Sequence, residues 1–167
     1  SDRPIDEASP IAPLDAYARS KAMAEAALMD AAETSRTRLT ILRPAPVYGT
    51  GGRGMIARLQ QLADSRWPLP VPASLGERSL VSVECLCSAI MACLEPKDTQ
   101  AETYLVADAE PVAVAALIAG LRRTYGRKPG LIPVPGEIVK IAAGIAGKKD
   151  ALRRLTQGFI IDPKKLA

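Results

Sequence analysis

Within the run AYARSKAMAEAAL, residues 16 to 28, a tyrosine and a lysine stand four positions apart, Tyr17 and Lys21. On a helix that spacing stacks the two side chains on one face, about one turn apart. An ammonium beside a phenol favours the phenolate, and a phenolate can take a proton from an alcohol as hydride leaves carbon. The lysine can at the same time bond the ribose hydroxyls of a cofactor. The plain alternative is a tyrosine and a lysine on the wet face of an ordinary helix, so the pair by itself is a weak signal.

Composition narrows what else the chain could do. Its 167 residues include no histidine, which removes serine–histidine triads, cysteine–histidine dyads and histidine zinc sites together. Proton transfer is left to tyrosine, lysine, cysteine or a carboxylate. Cys85, Cys87 and Cys93 lie in VECLCSAIMACLEP, where the C-x-C spacing fits neither a zinc ribbon nor a redox pair. They read as buried free thiols, which points to a reducing compartment such as the cytoplasm. The net charge is +4 and the pI 9.1, yet aromatics make up only 4%, too few to stack single-stranded nucleic acid. The most apolar window, residues 131–147, contains two prolines, Glu137 and Lys140, and is too short for a membrane span. The N-terminal SDRPIDEASP has the features of neither a secretory signal nor a mitochondrial leader. Neither nucleic acid nor membrane is an expected partner.

The elements that must position the pair alternate between helical and strand-like segments, the pattern of an α/β protein. A long alanine-rich helix is expected over residues 14–35, then a buried strand in RLTILRP ended by Pro44. MIARLQQLADS has helical spacing, PLPVPASLGERSLVSV reads as short extended segments around a turn, and VECLCSAIMACLEP as a helix stopped by Pro96. A strand at TYLVA, a helix over about 112–125, an extended LIPVP and an amphipathic helix from Pro135 follow. The basic KKDALRRLTQG is expected to be helical, before a final extended FIID.

Gly49, Gly51 and Gly54 in GTGGRG fit G-x-G-x-x-G and lie between a strand and a helix. A dinucleotide loop turns directly off its strand, whereas PAPV intervenes here, and no second strand ending in an acid follows at the required distance. The segment therefore reads as a crossing between two parts of the fold.

Three motifs in order carry a resemblance. Pro13, Tyr17, Ser20, Lys21 and Glu25 match a P-x-x-Y-x-x-S-K-x-x-x-E helix, with one extra residue after the proline. Leu42, Arg43, Pro44, Val47, Tyr48 and Gly49 match a strand ending L-R-P-x-x-V-Y-G, and Arg78, Val81, Val83 and Ala89 match part of R-x-x-V-x-V-x-D-x-x-x-A. Together they make the chain resemble the extended short-chain dehydrogenase/reductase family, in its NAD-dependent nucleotide-sugar epimerase/dehydratase branch, similar to the UDP-glucose 4-epimerases. The resemblance implies a partial Rossmann-like fold, the C-terminal part of a doubly wound parallel sheet, followed by a small α/β substrate-binding lobe. Residues 1–50 would be the remnant of the NAD-binding domain and 51–167 mainly the nucleotide-sugar lobe. The glycine-rich loop and the catalytic Ser/Thr would lie upstream of this chain, and an L-G-W motif downstream of DPKKLA.

By the same resemblance, Tyr17 and Lys21 are catalytic and also touch the cofactor, and Pro44, Ala45 and Val47 lie near its nicotinamide. Arg78 matches an arginine that bonds the diphosphate, a task suited to a permanently charged fork. Leu69 and Val71 fall where an extended edge meets the nucleobase, and Arg53 is a further candidate for phosphate. Pro46 stands where many members carry an asparagine that contacts the sugar nucleotide, a contact no proline side chain can make. Ser82 and Cys85 depart from a V-H-V-x-D pattern, and Ser82 has a sufficient structural reason as a helix cap. The implied function is hydride transfer through a 4-keto sugar, with NAD as cofactor and NADP as the alternative. A dehydratase, an NADPH-dependent reductase, or a fragment that binds substrate without turnover stay open, and the parent protein is expected to be a homodimer.

Overall fold

The computed structural model describes residues 3–49, 51, 55–73, 75–94, 101–145 and 158–166. Helix α1 spans Ala16–Glu33 and starts where Asp15 accepts a 2.7 Å hydrogen bond from the Ala18 N–H, one of the donors a helix start leaves unpaired. Strand β1, Leu39–Pro44, packs beside it and pairs in parallel with β6, Ala101–Val106, so that Leu39 lies opposite Ala101 and Pro44 opposite Val106. Strand β2, Val47–Tyr48, pairs in parallel with β5, Val81–Ser82. Helix α3, Val83–Cys93, springs directly from β5, and Ser82 caps it by accepting the Cys85 N–H at 3.0 Å, as expected.

Between β2 and β5 the chain makes α2, Met55–Ala63, then β3, Leu69–Pro72, and β4, Glu77–Arg78. After β6 come β7, Val112–Ala113, helix α4, Val114–Thr124, strand β8, Leu131–Val134, and helix α5, Gly136–Ile145. Strands β3 and β8 are parallel, β4 and β7 antiparallel. In β3 the Leu69 N–H donates to the Gly130 carbonyl at 2.9 Å and the Ala73 N–H to Val134 at 3.1 Å. By the alternation of a strand, Pro70 and Pro72 then face away from β8 and cost the ladder nothing. The α/β class is the expected one, with parallel pairs predominating.

Two apolar clusters hold these elements. One gathers Ala45, Val81, Ala89, Leu105, Val106 and Ile161, with Ile5 and Phe159 packed against it. The other gathers Ile56, Leu59, Leu69, Val71, Val114 and Ile118. Which cluster a residue joins is not decided by its side of residue 50, since residues 81–89, 105–107 and 159–166 return to contribute to the cluster of Ala45. The return is visible at the chain's last described segment. There the Ile5 N–H donates to Ile160 (2.8 Å), the Phe159 N–H to Glu77 (3.1 Å) and the Ser79 N–H to Phe159 (2.7 Å), so residues 159–161 run between Ile5 and β4.

The second cluster has a polar keystone. Arg122, 3% exposed at the end of α4, donates to the carbonyls of Lys128 (2.9 Å), Ala63 (3.3 Å) and Ser65 (3.1 Å). Ala63 is the last residue of α2, where a cation meets the negative end of a helix. The three cysteines are free, but they are not all buried as expected: Cys87 is exposed and Cys85 and Cys93 half-buried, because α3 turns that face outward beside Ile90 and Met91. Pro96 and the basic segment 148–157 lie outside the described residues. No helix among the described residues is long and apolar enough to cross a membrane, and none of their acidic or cysteine side chains cluster as a metal site.

Candidate functional site

Tyr17 opens the first turn of α1 and is 72% exposed, far more than a tyrosine packed for stability would be. The Lys21 ammonium lies 5.6 Å from the centre of the Tyr17 ring, so the spacing seen in the sequence is realised in space. Both side chains line a cavity of about 370 Å³, whose wall is completed by Glu25, Arg43, Pro44 and Phe159.

One turn further along α1, Glu25 reaches across to β1. The Arg43 guanidinium holds it with Nε at 3.0 Å from Oε1 and 3.2 Å from Oε2, while Nη2 bonds Oε1 as well. The pair is largely shielded, with side-chain exposures of 24% for Arg43 and 16% for Glu25. A charge-assisted, forked contact of this kind fixes geometry as well as energy. It ties α1, which carries Tyr17 and Lys21, to β1.

A second cavity of about 340 Å³ adjoins the first and shares Pro13, Ala18 and Phe159 with it. Arg78 stands in its wall, with the guanidinium carbon 5.9 Å from the centre of the Phe159 ring. Burial pushes the Arg78 pKa down, but a guanidinium remains charged at neutral pH. Phe159 therefore partitions the two cavities, and sequence reasoning missed it. The extended FIID was legible; that it would return to the site was not, because residues 82 apart on the chain, such as Ser79 and Ile161, meet there through a bond to the Ser79 hydroxyl.

The other expected site residues fall in different places. Pro44 is exposed at the mouth of the first cavity. Ala45 is 1% exposed and its methyl belongs to the core, so only its backbone could meet a ligand. Its N–H already donates to the Val106 carbonyl at 2.8 Å. Val47 is half-buried against the same cluster. The Pro46 carbonyl accepts the Val81 N–H at 3.2 Å. Leu69 and Val71, at 7% and 8% exposure, belong to the second core and line neither cavity, and the residue exposed between them is Pro70. The alternation of β3 is the reason, since one face must cover Val114 and Ile118. Arg53 and Gly54 lie outside the described residues. Gly49 follows β2 so close to α3 that a Cβ there would meet a Val83 methyl at 2.8 Å. That contact gives the first glycine of GTGGRG a packing role.

Asp108, two residues beyond the end of β6, was not singled out from the sequence. Its carboxylate accepts the Tyr48 hydroxyl at 2.8 Å and the Ser82 N–H at 3.2 Å, tying the ends of β2, β5 and β6 together. The hydrogen bond to Asp108, then burial, push the Tyr48 phenol up from its ordinary 10.0. Burial first, then the Asp108 charge, push the Cys85 thiol up, which keeps it protonated and poorly nucleophilic. The only sequence signal was an acid at the end of an apolar strand.

Comparison with known proteins adds family and fold. The model of the NAD dependent epimerase/dehydratase family matches residues 1–107. The UDP-glucose 4-epimerase of Vibrio cholerae is 32% identical over 152 residues, covering 90% of this chain and 46% of that protein. Among solved structures, the dTDP-glucose 4,6-dehydratase DesIV of Streptomyces venezuelae, with NAD and TYD bound, superposes with a TM-score of 0.70 or better (0.72) at 18% identity, over 99% of this chain and 48% of that one. A UDP-glucose 4-epimerase of Thermotoga maritima, solved with UDP-glucose, gives 0.67 at 20% identity over 97% and 49%. At these identities the structural likeness is one of fold, and it is the Rossmann-like fold of epimerases and dehydratases. The chain spans about half the length of the curated relative it matches.

Proposed function

Because the chain belongs to the NAD-dependent epimerase/dehydratase family, we propose that it is the C-terminal portion of a nucleotide-sugar epimerase that inverts C4 of a UDP-linked hexose. The observation that carries this reading is the placement of Tyr17 and Lys21, one turn apart, on the wall of a cavity that adjoins the cavity of Arg78. Tyr17 takes the proton of the C4 hydroxyl and returns it once the 4-keto sugar has turned over. Lys21 stabilises the negative charge that develops on the phenol oxygen. NAD, held by Tyr17 and Lys21, would supply a reversible hydride acceptor for C4. The donor set suits that cofactor: a phenol and an ammonium match the hydroxyls of its nicotinamide ribose, with Pro44 and Val47 as apolar neighbours. Arg78, braced by Phe159, would bond the diphosphate, and the three free thiols fit a cytoplasmic enzyme.

Pro46 favours a second reading for the substrate. It offers only a carbonyl, and that carbonyl is engaged by Val81, so the site lacks a side-chain amide for the sugar at this position. An NADPH-dependent reductase of another carbonyl compound on the same scaffold would need no such contact, while a dehydratase stays open on other grounds. The full-length protein decides between them: interconversion of UDP-glucose and UDP-galactose without net oxidation supports the epimerase, whereas stoichiometric loss of NADPH absorbance supports the reductase. For the chain alone, calorimetry with UDP-glucose and with NAD is the direct test. Sugar-nucleotide binding that disappears in Arg78→Ala would support a substrate-binding role for this portion without turnover. Absence of binding to the folded chain would place the binding determinants outside it.

A further inference from the structure

Tyr17, Lys21 and Glu25 occupy three successive turns of one helix face, so Lys21 has a phenol four residues before it and a carboxylate four residues after it. On a solvated helix the carboxylate wins, because opposite charges at this spacing attract. Here the Lys21 ammonium lies over the Tyr17 ring and, among the described residues, forms no ion pair. Glu25 is instead held through both of its oxygens by Arg43 of β1.

We propose that Arg43 is a positioning residue: its clasp on Glu25 withdraws that carboxylate from Lys21 and so leaves the ammonium with Tyr17. Charge bookkeeping and shape both favour the arrangement. A guanidinium presents two parallel donors to a carboxylate, which an ammonium cannot match, so Arg43 outcompetes Lys21 for Glu25. The low exposure of the pair strengthens that preference, since water screens it little. Glu25 in turn balances Arg43, which otherwise would place a second cation on the cavity wall. The inference rests on the proton-transfer role given above to Tyr17, and its test keeps the two separable.

The full-length protein, labelled at lysine and tyrosine, gives the direct readout by NMR without any ligand. Cross-relaxation between the Lys21 ε-methylene and the Tyr17 ring is expected in the native protein, lost in Arg43→Met, and restored in Arg43→Met/Glu25→Gln, where no carboxylate competes. Contacts that persist in Arg43→Met overturn the proposal. Should Arg43→Met fail to fold, Arg43→Lys serves: a single-point cation leaves one Glu25 oxygen to Lys21, so the contacts weaken, and unchanged contacts again overturn the proposal. Calorimetry with NAD supplies a second readout. Arg43→Met is expected to weaken NAD binding about tenfold in the native background and not at all in Lys21→Met. An equal loss in both backgrounds would mean that Arg43 acts on the fold rather than through Lys21, and would overturn the proposal. A wild-type protein that fails to interconvert UDP-sugars yet shows the expected NMR pattern sinks the epimerase reading and leaves the role of Arg43 standing.

Discussion

Helices α1 and α4 are held in opposite ways. Over its 18 residues α1 buries only Ala32, and it leaves Tyr17, Met23 and Leu28 more than half exposed. Helix α4, with 11 residues, buries Val114, Ile118 and Arg122. The first is aimed by a cap, a few contacts with β1 and the Glu25–Arg43 pair; the second is locked by packing and by the carbonyls around Arg122. The difference separates two tasks. A helix that presents reactive side chains must keep one face open and take its orientation from polar contacts, whereas a helix that supports a lobe can spend its whole face on burial.

Removing the reactive group should break the comparison most sharply on the α1 side. Tyr17→Phe is expected to cut turnover of the full-length enzyme about a thousandfold, equivalent to about 4 kcal/mol of barrier, while the melting temperature stays where it was because the hydroxyl is solvated. Steady-state kinetics and a thermal melt on one sample check both halves. Ile118→Ala does the reverse: it opens a cavity between α4, α2 and β3 and should cost about 3 kcal/mol in urea unfolding. A loss below about 1 kcal/mol would mean that this lobe is not held by packing.

Arg122→Met keeps the apolar stem but strands the carbonyls of Ala63, Ser65 and Lys128, and should cost about 2 kcal/mol. The smallest effect is Tyr48→Phe, about 1 kcal/mol at neutral pH, and it sharpens the comparison by its pH dependence. The phenol's pKa is raised in the folded state, so its hydrogen bond to Asp108 contributes fully below pH 10.0 and is lost as pH rises through the folded value. Unfolding of wild type and variant on either side of pH 10 should show the gap between them closing on the alkaline side. A gap that widened there would rule out the Asp108 bond as its source.

What the sequence disclosed and what it hid divide along a physical line. Tyr17 one turn from Lys21 and Ser82 capping α3 are matters of a few residues along one backbone, and each stands as spacing predicts. The contacts that assemble the site join residues far apart. Glu7 accepts the Leu105 N–H at 2.9 Å, Tyr48 meets Asp108, and Phe159 slides against Arg78; no periodicity announces any of them. The burial of Leu69 and Val71 is of another kind. L-P-V-P signals an extended edge correctly, but which face of a short strand is buried depends on the helices that come to lie on it. Cys87 shows the same limit on a helix whose residues are apolar almost throughout.

The prolines of β3 bear on how the molecule behaves in a crowded solution. Pro70 and Pro72 occupy the positions that face away from β8, and neither has an N–H to give. At Pro70, the exposed residue of the strand, a chain approaching from the side away from β8 finds no N–H to accept from. The exposed proline that spares the internal ladder thus also withholds a donor from neighbouring chains, and Pro70→Thr should raise self-association at high concentration.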